Sequence, residues 1–99
     1  MINWKQIKGF NWDTGNERKS VDKHSVSQLE AEQLFFNEPL LLLPDKKHSD
    51  QEPRYHALGI SDSGRQLHIT LTLRDDDTLI RVISARPMHR KERKFYEQA

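Results

Sequence analysis

The 99-residue chain contains no cysteine. That removes disulfides, thiolate metal ligands and a cysteine nucleophile together, and it fits a reducing compartment. Long hydrophobic runs are also missing. The longest, Leu40 to Leu43, falls far short of the ~20 residues of a membrane span, and nothing resembles a signal peptide. The expectation is a cytoplasmic protein with no membrane partner. Gly9, Gly15, Gly59 and Gly64 stand isolated, so no glycine-rich phosphate loop is present. Metal chemistry is poorly supplied. His24, His48, His56, His68 and His89 show no close ligand spacing, and Asp75-Asp76-Asp77 reads as a turn because adjacent carboxylates cannot all point at one ion. No metal and no cofactor are expected.

Apolar residues make up 34% of the chain and charged residues 31%, close to the boundary at which globular proteins give way to disorder. Alternation along the second half decides for a fold. The length reads as a single domain over residues 1–99, with a modest core. Net charge is only +1, so any case for a polyanion ligand rests on distribution. Arg86, Arg90, Lys91, Arg93 and Lys94 crowd the end, offset there only by Glu92 and Glu97.

Phe10-Asn11-Trp12-Asp13 alternates as a first strand, with Asp13 placed to cap the segment after it. Thr14 to His24 is polar and reads as a surface helix. Ser27-Gln28-Leu29-Glu30 fits a capping box with Val26 and Ala31 as a hydrophobic staple, and Ala31, Leu34 and Phe35 supply the buried stripe. Pro39 ends this helix, and Leu40 to Leu43 forms a short strand. Residues 44–53 make a polar loop of a length that usually carries function or disorder.

Three more strands come next. Arg54 to Ile60 runs into the turn Ser61-Asp62-Ser63-Gly64. Arg65 to Arg74 then sets Leu67, Ile69, Leu71 and Leu73 on a core face and His68, Thr70, Thr72 and Arg74 on a polar one. After the acidic turn, Leu79 to Ala85 is apolar on both faces apart from Arg81 and Ser84, as suits a central strand. Pro87 opens a last helix, where its missing N–H is harmless, and Met88, Glu92, Phe95 and Tyr96 share a face. The architecture is α+β: an antiparallel sheet with two helices on its N-terminal side and a C-terminal basic helix.

On the last helix Arg90, Arg93 and Lys94 form a cationic ridge, since residues three and four apart are neighbours. It is either a solvated face or a polyanion contact. Arg74 and Arg86 close opposite ends of a hairpin, Arg74 beside the aspartates and Arg86 near the basic helix. Arg86 is therefore the better phosphate clamp, because a guanidinium fork matches two phosphate oxygens at any working pH. RNA cleavage without a metal needs a base for the 2′-OH proton, cations for the phosphorane charge and an acid for the leaving 5′-oxygen. His48, Tyr55 beside Arg54, Glu92 and Tyr96 are the candidates for proton handling. Each has a structural alternative: Tyr96 as a core tyrosine with a wet hydroxyl, Glu92 as the partner of Arg86 or Arg90.

The closing block, Arg81-Val82-Ile83-Ser84-Ala85-Arg86 followed by His89-Arg90-Lys91-Glu92-Arg93-Lys94-Phe95-Tyr96, resembles the signature of the BrnT toxin family. So do Phe10 to Asp13, Lys23-His24 before Val26, Glu38-Pro39, Asp45 with His48-Ser49, Arg54-Tyr55, Gly59, Gly64-Arg65 and Arg74-Asp75. The resemblance implies a RelE-like fold and a growth-inhibiting endoribonuclease. Arg54, Arg74 and Arg86 would make phosphate and transition-state contacts, with His48, Tyr55, Glu92 and Tyr96 handling or positioning protons. It also implies neutralisation by a BrnA-like ribbon-helix-helix antitoxin, with operator DNA reached only through that complex. A degenerate toxin acting as a binding-only co-repressor is the alternative. The chain departs from the family at Ser25, where a glycine is usual, at Ser20, where an asparagine is usual, and at Pro53, where a glutamate precedes the Arg-Tyr pair. Ser25 lies at a helix-helix junction that favours a left-handed residue, so this departure bears on the junction's geometry.

Overall fold

The computed structural model describes residues 2–16, 23–48 and 51–99. A short 3-10 turn, Trp4–Gln6, leads to β1 (Gly9–Phe10). Helix α1 (Gln28–Gln33) continues as a 3-10 turn, Leu34–Phe36, before β2 (Leu41–Pro44). A further 3-10 turn, Lys46–His48, precedes β3 (Tyr55–Ile60), β4 (Gln66–Arg74), β5 (Leu79–Pro87) and α2 (Arg90–Glu97). The strands form a single sheet in the order β1-β5-β4-β3-β2.

The sheet is mixed where the sequence suggests an antiparallel one. β1 runs parallel to β5, with Gly9 opposite Leu79 and Phe10 opposite Ile80, while the other neighbours are antiparallel. The strand expected over Phe10 to Asp13 is thus shorter and earlier. Asp13 instead accepts the Gly15 N–H at 2.8 Å and holds a tight turn. Most of the expected surface helix before His24 lies outside the described residues.

Helix α1 starts where the capping box places it. Ser27 accepts the Glu30 N–H, but the Glu30 carboxylate turns to Arg65 at 2.7 Å and to the Ser61 hydroxyl, because the β3–β4 turn lies against the start of α1. Ala31 and Leu34 are buried with Val26, Ala57, Leu67, Ile69, Leu71, Ile80, Val82 and Ala85 in the main core. Each large side chain sealed there contributes roughly 1.5–3 kcal/mol. A methyl group on Gly59 would lie 2.9 Å from Leu34 Cγ, so glycine lets the helical segment approach the sheet closely. Gly64 adopts φ +90° in the β3–β4 turn, a conformation glycine takes without steric cost.

On the polar face of β4, His68 and Thr72 are buried. Thr72 donates its hydroxyl to the Pro53 carbonyl at 2.6 Å, and α2 covers the other end through a smaller cluster of Leu58, Met88 and Tyr96. Along β5, Thr70 faces Ser84 and Leu71 faces Val82. Ile83 is therefore an inserted residue, a bulge that puts Arg81 and Ser84 on the same face despite their odd spacing. Pro87 ends β5 instead of opening the helix. His89 is the N-cap of α2, and Glu92 returns to accept the His89 N–H in a capping box. Phe95, expected on the packed face, is exposed.

Candidate active site

On the face of the sheet away from the main core, strand alternation lines up side chains from β2 to β5. Leu43 pairs with His56, His56 with Thr70, Leu58 with His68, and His68 with Arg86. Helix α2 borders this row with Lys91, Glu92 and Phe95. Together these residues line an open cavity of about 610 Å³.

Arg86 and Glu92 set the electrostatics. Arg86 Nη1 and Nη2 donate to the two Glu92 carboxylate oxygens at 2.8 and 2.9 Å, a bidentate fork. Those hydrogen bonds hold the Glu92 carboxyl at about 2, against partial burial and with help from the His89 N–H. His68 Nε2 lies 3.7 Å from Glu92, and its Nδ1 is buried with no hydrogen-bond partner among the described residues. Burial first, and the Arg86 charge second, draw His68 down to about 4. It is a neutral imidazole at pH 7.

His56 packs against it, with ring centroids 4.8 Å apart. The buried Asp45 carboxylate lies 3.2 Å from His56 Nε2, and Thr70 Oγ1 lies 3.1 Å from Nδ1. In a neutral His56, a proton on Nε2 facing Asp45 would leave the Nδ1 lone pair to accept from the Thr70 hydroxyl. A carboxylate-held imidazole beside a guanidinium can take a proton and stabilise phosphoryl charge in one place. Among the described residues no group of three or more metal-binding side chains comes together.

Of the sequence candidates, Arg86 and Glu92 meet in this cavity, and the others whose side chains are described do not line it. Tyr55 pairs with Leu71 and packs against the main core, on the opposite face of the sheet. Arg54 is half-buried just before β3, its carbonyl accepting the Asp45 N–H at 2.8 Å. Arg74 is at the far end of β4 and binds the Glu52 carboxylate instead of the aspartate turn. Tyr96 is buried in the smaller cluster, where its hydroxyl donates to the Pro39 carbonyl at 2.6 Å. Burial raises its pKa. His48 falls at the end of a 3-10 turn, and its side chain lies outside the described part of the structure. Arg90, Arg93 and Lys94 are exposed on α2, with Arg93 donating to the Met88 carbonyl at 3.0 Å. Lys91, one position from Arg90, is the basic side chain of α2 that lines the cavity.

His56, His68, Asp45 and Thr70 were not among the candidates. For His56, His68 and Thr70 the signal lies in the β3–β4 hairpin, where counting from the Ser61–Gly64 turn sets them on the same face; Asp45 precedes the hairpin and has no such signal.

Residues 12–92 match the family described as "Ribonuclease toxin, BrnT, of type II toxin-antitoxin system". The chain belongs to the BrnT family. Ribonuclease activity at the level of the family follows, and with it an RNA target and an antitoxin partner. The match takes in every cavity residue except Phe95. Comparison with curated proteins gave no match. Among the described residues no helix is long and apolar enough to cross a membrane.

Proposed function

We propose that this BrnT-family chain is a metal-independent endoribonuclease whose active site is the His56–His68–Arg86 cavity. The observation that carries the reading is the Asp45-oriented His56 imidazole, packed on a neutral His68 and sharing the cavity with Arg86 and Lys91. The Thr70 side chain turns its hydroxyl away from His56, and a substrate 2′-hydroxyl takes its place and gives its proton to His56 Nδ1. The 2′-oxygen attacks phosphorus, Arg86 neutralises the charge that develops on the phosphorane, and the bond to the 5′-oxygen breaks. Lys91 donates the proton that the leaving 5′-oxygen takes up. The products are a 2′,3′-cyclic phosphate and a free 5′-hydroxyl.

The same reading has a BrnA-like ribbon-helix-helix antitoxin covering this face in the cytoplasm, with operator DNA bound only by the complex. A RelE-like fold fits the four antiparallel strands and the C-terminal helix. A binding-only toxin is the second reading, favoured by one observation: Arg86 is already forked onto Glu92 and carries little unshielded charge toward a phosphate.

Incubation of antitoxin-free protein with defined RNA in EDTA separates the two. Cleavage that persists in EDTA, yields cyclic phosphate ends and is lost in His56→Ala and Arg86→Ala supports the enzyme. Intact RNA from folded wild type supports the binding module.

A further inference from the structure

Phe95 is an aromatic ring left largely in water on a helix that otherwise exposes charge. It is 53% exposed, although the helix has an apolar cluster at Met88 and Tyr96 that it could have joined. It lines the cavity instead, with Leu43 from β2, itself 40% exposed, and Leu58 from β3. The cavity lining therefore combines two chemical kinds, with Leu43 opposite His56 and Leu58 opposite His68. Leu43 and Phe95 present apolar surface to solvent with the buried Leu58 beside them, and His56, His68, Arg86 and Lys91 carry the polar groups. Lys91 and Phe95 are four residues apart, so the cation and the ring are neighbours on one helix face.

A site with an aromatic platform beside cations fits a ligand that has a flat apolar ring tethered to a phosphate. From this geometry we infer that Phe95 is a stacking platform for a nucleobase of the substrate, next to the phosphate being cut, and that the substrate is single-stranded RNA. The inference rests on the ribonuclease reading above and names its substrate class. A base must be splayed out of a helix to lie on Phe95, which a single strand permits and an A-form duplex resists. Stacking on an aromatic ring accepts any base because every base has a π face. Phe95 thus sets strandedness and affinity but not a fixed sequence. The ring lies outside the family match, which ends at residue 92, so this contact is read from the chain's own geometry.

The test compares wild type, Phe95→Ala and Phe95→Trp on one RNA sequence, presented single-stranded and annealed to its complement. Binding of a 2′-O-methyl copy, which cannot be cleaved, is measured alongside. Phe95 is exposed, so neither variant is expected to change the melting temperature. Phe95→Ala should weaken binding of the 2′-O-methyl strand by about 5- to 100-fold and lower kcat/KM to match. Phe95→Trp should keep both, and the duplex should be a poor substrate for all three proteins. Equal binding and cleavage by wild type and Phe95→Ala would overturn the inference. So would a variant whose only defect is weaker antitoxin binding, which would assign the apolar surface to the protein partner. If wild type cuts nothing yet the 2′-O-methyl strand binds through Phe95, the ribonuclease reading fails and the platform stands.

Discussion

Arg86 and Glu92 close a two-pronged ion pair across the junction of β5 and α2, at 2.8 and 2.9 Å. The same carboxylate caps α2 through the His89 N–H, so a single side chain joins the helix start to the guanidinium in the cavity. Removing it by Glu92→Gln should cost roughly 1–3 kcal/mol, as expected for charge-assisted hydrogen bonds. The pH dependence is set by the direction of its shift. The unfolded chain takes up this proton near 4.5 and the folded chain only near 2. The contribution is therefore complete above about pH 4.5 and is lost as pH falls toward 2. Urea melts of wild type and Glu92→Gln should diverge above pH 4.5 and converge near pH 2; parallel curves would show that the pair adds nothing.

His68 makes a second acid-sensitive window just above the first. It binds its proton near 6.5 when unfolded but only near 4 in the folded chain. Between those values the unfolded state holds more protons, so stability falls as pH drops from about 6.5 to 4. The loss is roughly 2–3 kcal/mol by linkage. His68→Gln should flatten that slope while leaving the lower window, which belongs to Glu92, in place. An unchanged slope in denaturant melts across pH 4 to 6.5 would refute the assignment.

Ser25 holds φ 56°, in the left-handed region that a non-glycine residue occupies at a cost of about 1–2 kcal/mol. Its carbonyl accepts Arg65 Nη1 at 3.1 Å, which helps to hold the turn. The junction keeps a shape that a glycine would adopt without strain and carries the strain in the backbone. Ser25→Gly relieves that strain but gives back about 0.4–1 kcal/mol through a looser unfolded chain. A net gain of about 0.5–1 kcal/mol, a rise of about 2–8 °C in Tm for a chain this short, is expected from thermal melts. A fall in Tm would mean that the serine contributes something the conformation does not show.

Tyr96 separates structure from chemistry at the end of α2. Its hydroxyl is committed to the Pro39 carbonyl, so Tyr96→Phe should cost about 1–2 kcal/mol by leaving that acceptor short of a donor. Cleavage below the melting temperature should be unchanged. Loss of cleavage in a variant that melts normally would return Tyr96 to the reacting groups.

Much of this fold was legible in the sequence, for reasons that differ between elements. The start of α1 was readable because Ser27 caps locally, and β4 was readable because Leu67, Ile69 and Leu71 alternate over a strand long enough to show a period. Placing Arg74 and Arg86 at opposite ends of the hairpin needed only strand lengths, and the register agrees. The parallel pairing of β1 was not readable, because two residues carry no direction. The bulge at Ile83 leaves no mark in an apolar run, so the faces of Arg81 and Ser84 could not be settled. His56 and Tyr55 show the limit most clearly. They are adjacent and must face opposite ways, and only the β3–β4 register reveals that the histidine faces the cavity and the tyrosine the core.

Asp45 provides the sharpest test of the chemistry, because it is buried, touches His56 Nε2 at 3.2 Å and does not line the cavity. Its part in the proposed mechanism is to keep the proton on Nε2, so that the Nδ1 lone pair faces the substrate hydroxyl. Asp45→Asn nearly conserves the volume but can offer an amide N–H to Nε2, which would move the imidazole proton to Nδ1 and remove the acceptor. The expected outcome is a fall in kcat of about 10- to 100-fold, part of the 10²–10⁴ that general acid–base catalysis supplies. KM should stay near that of wild type, because Arg86, Lys91 and Phe95 are untouched. Nitrogen chemical shifts of His56 by NMR report the tautomer directly. A switched tautomer with full activity would exclude His56 as the base, whereas a switched tautomer with reduced kcat ties the buried carboxylate to proton transfer at the cavity.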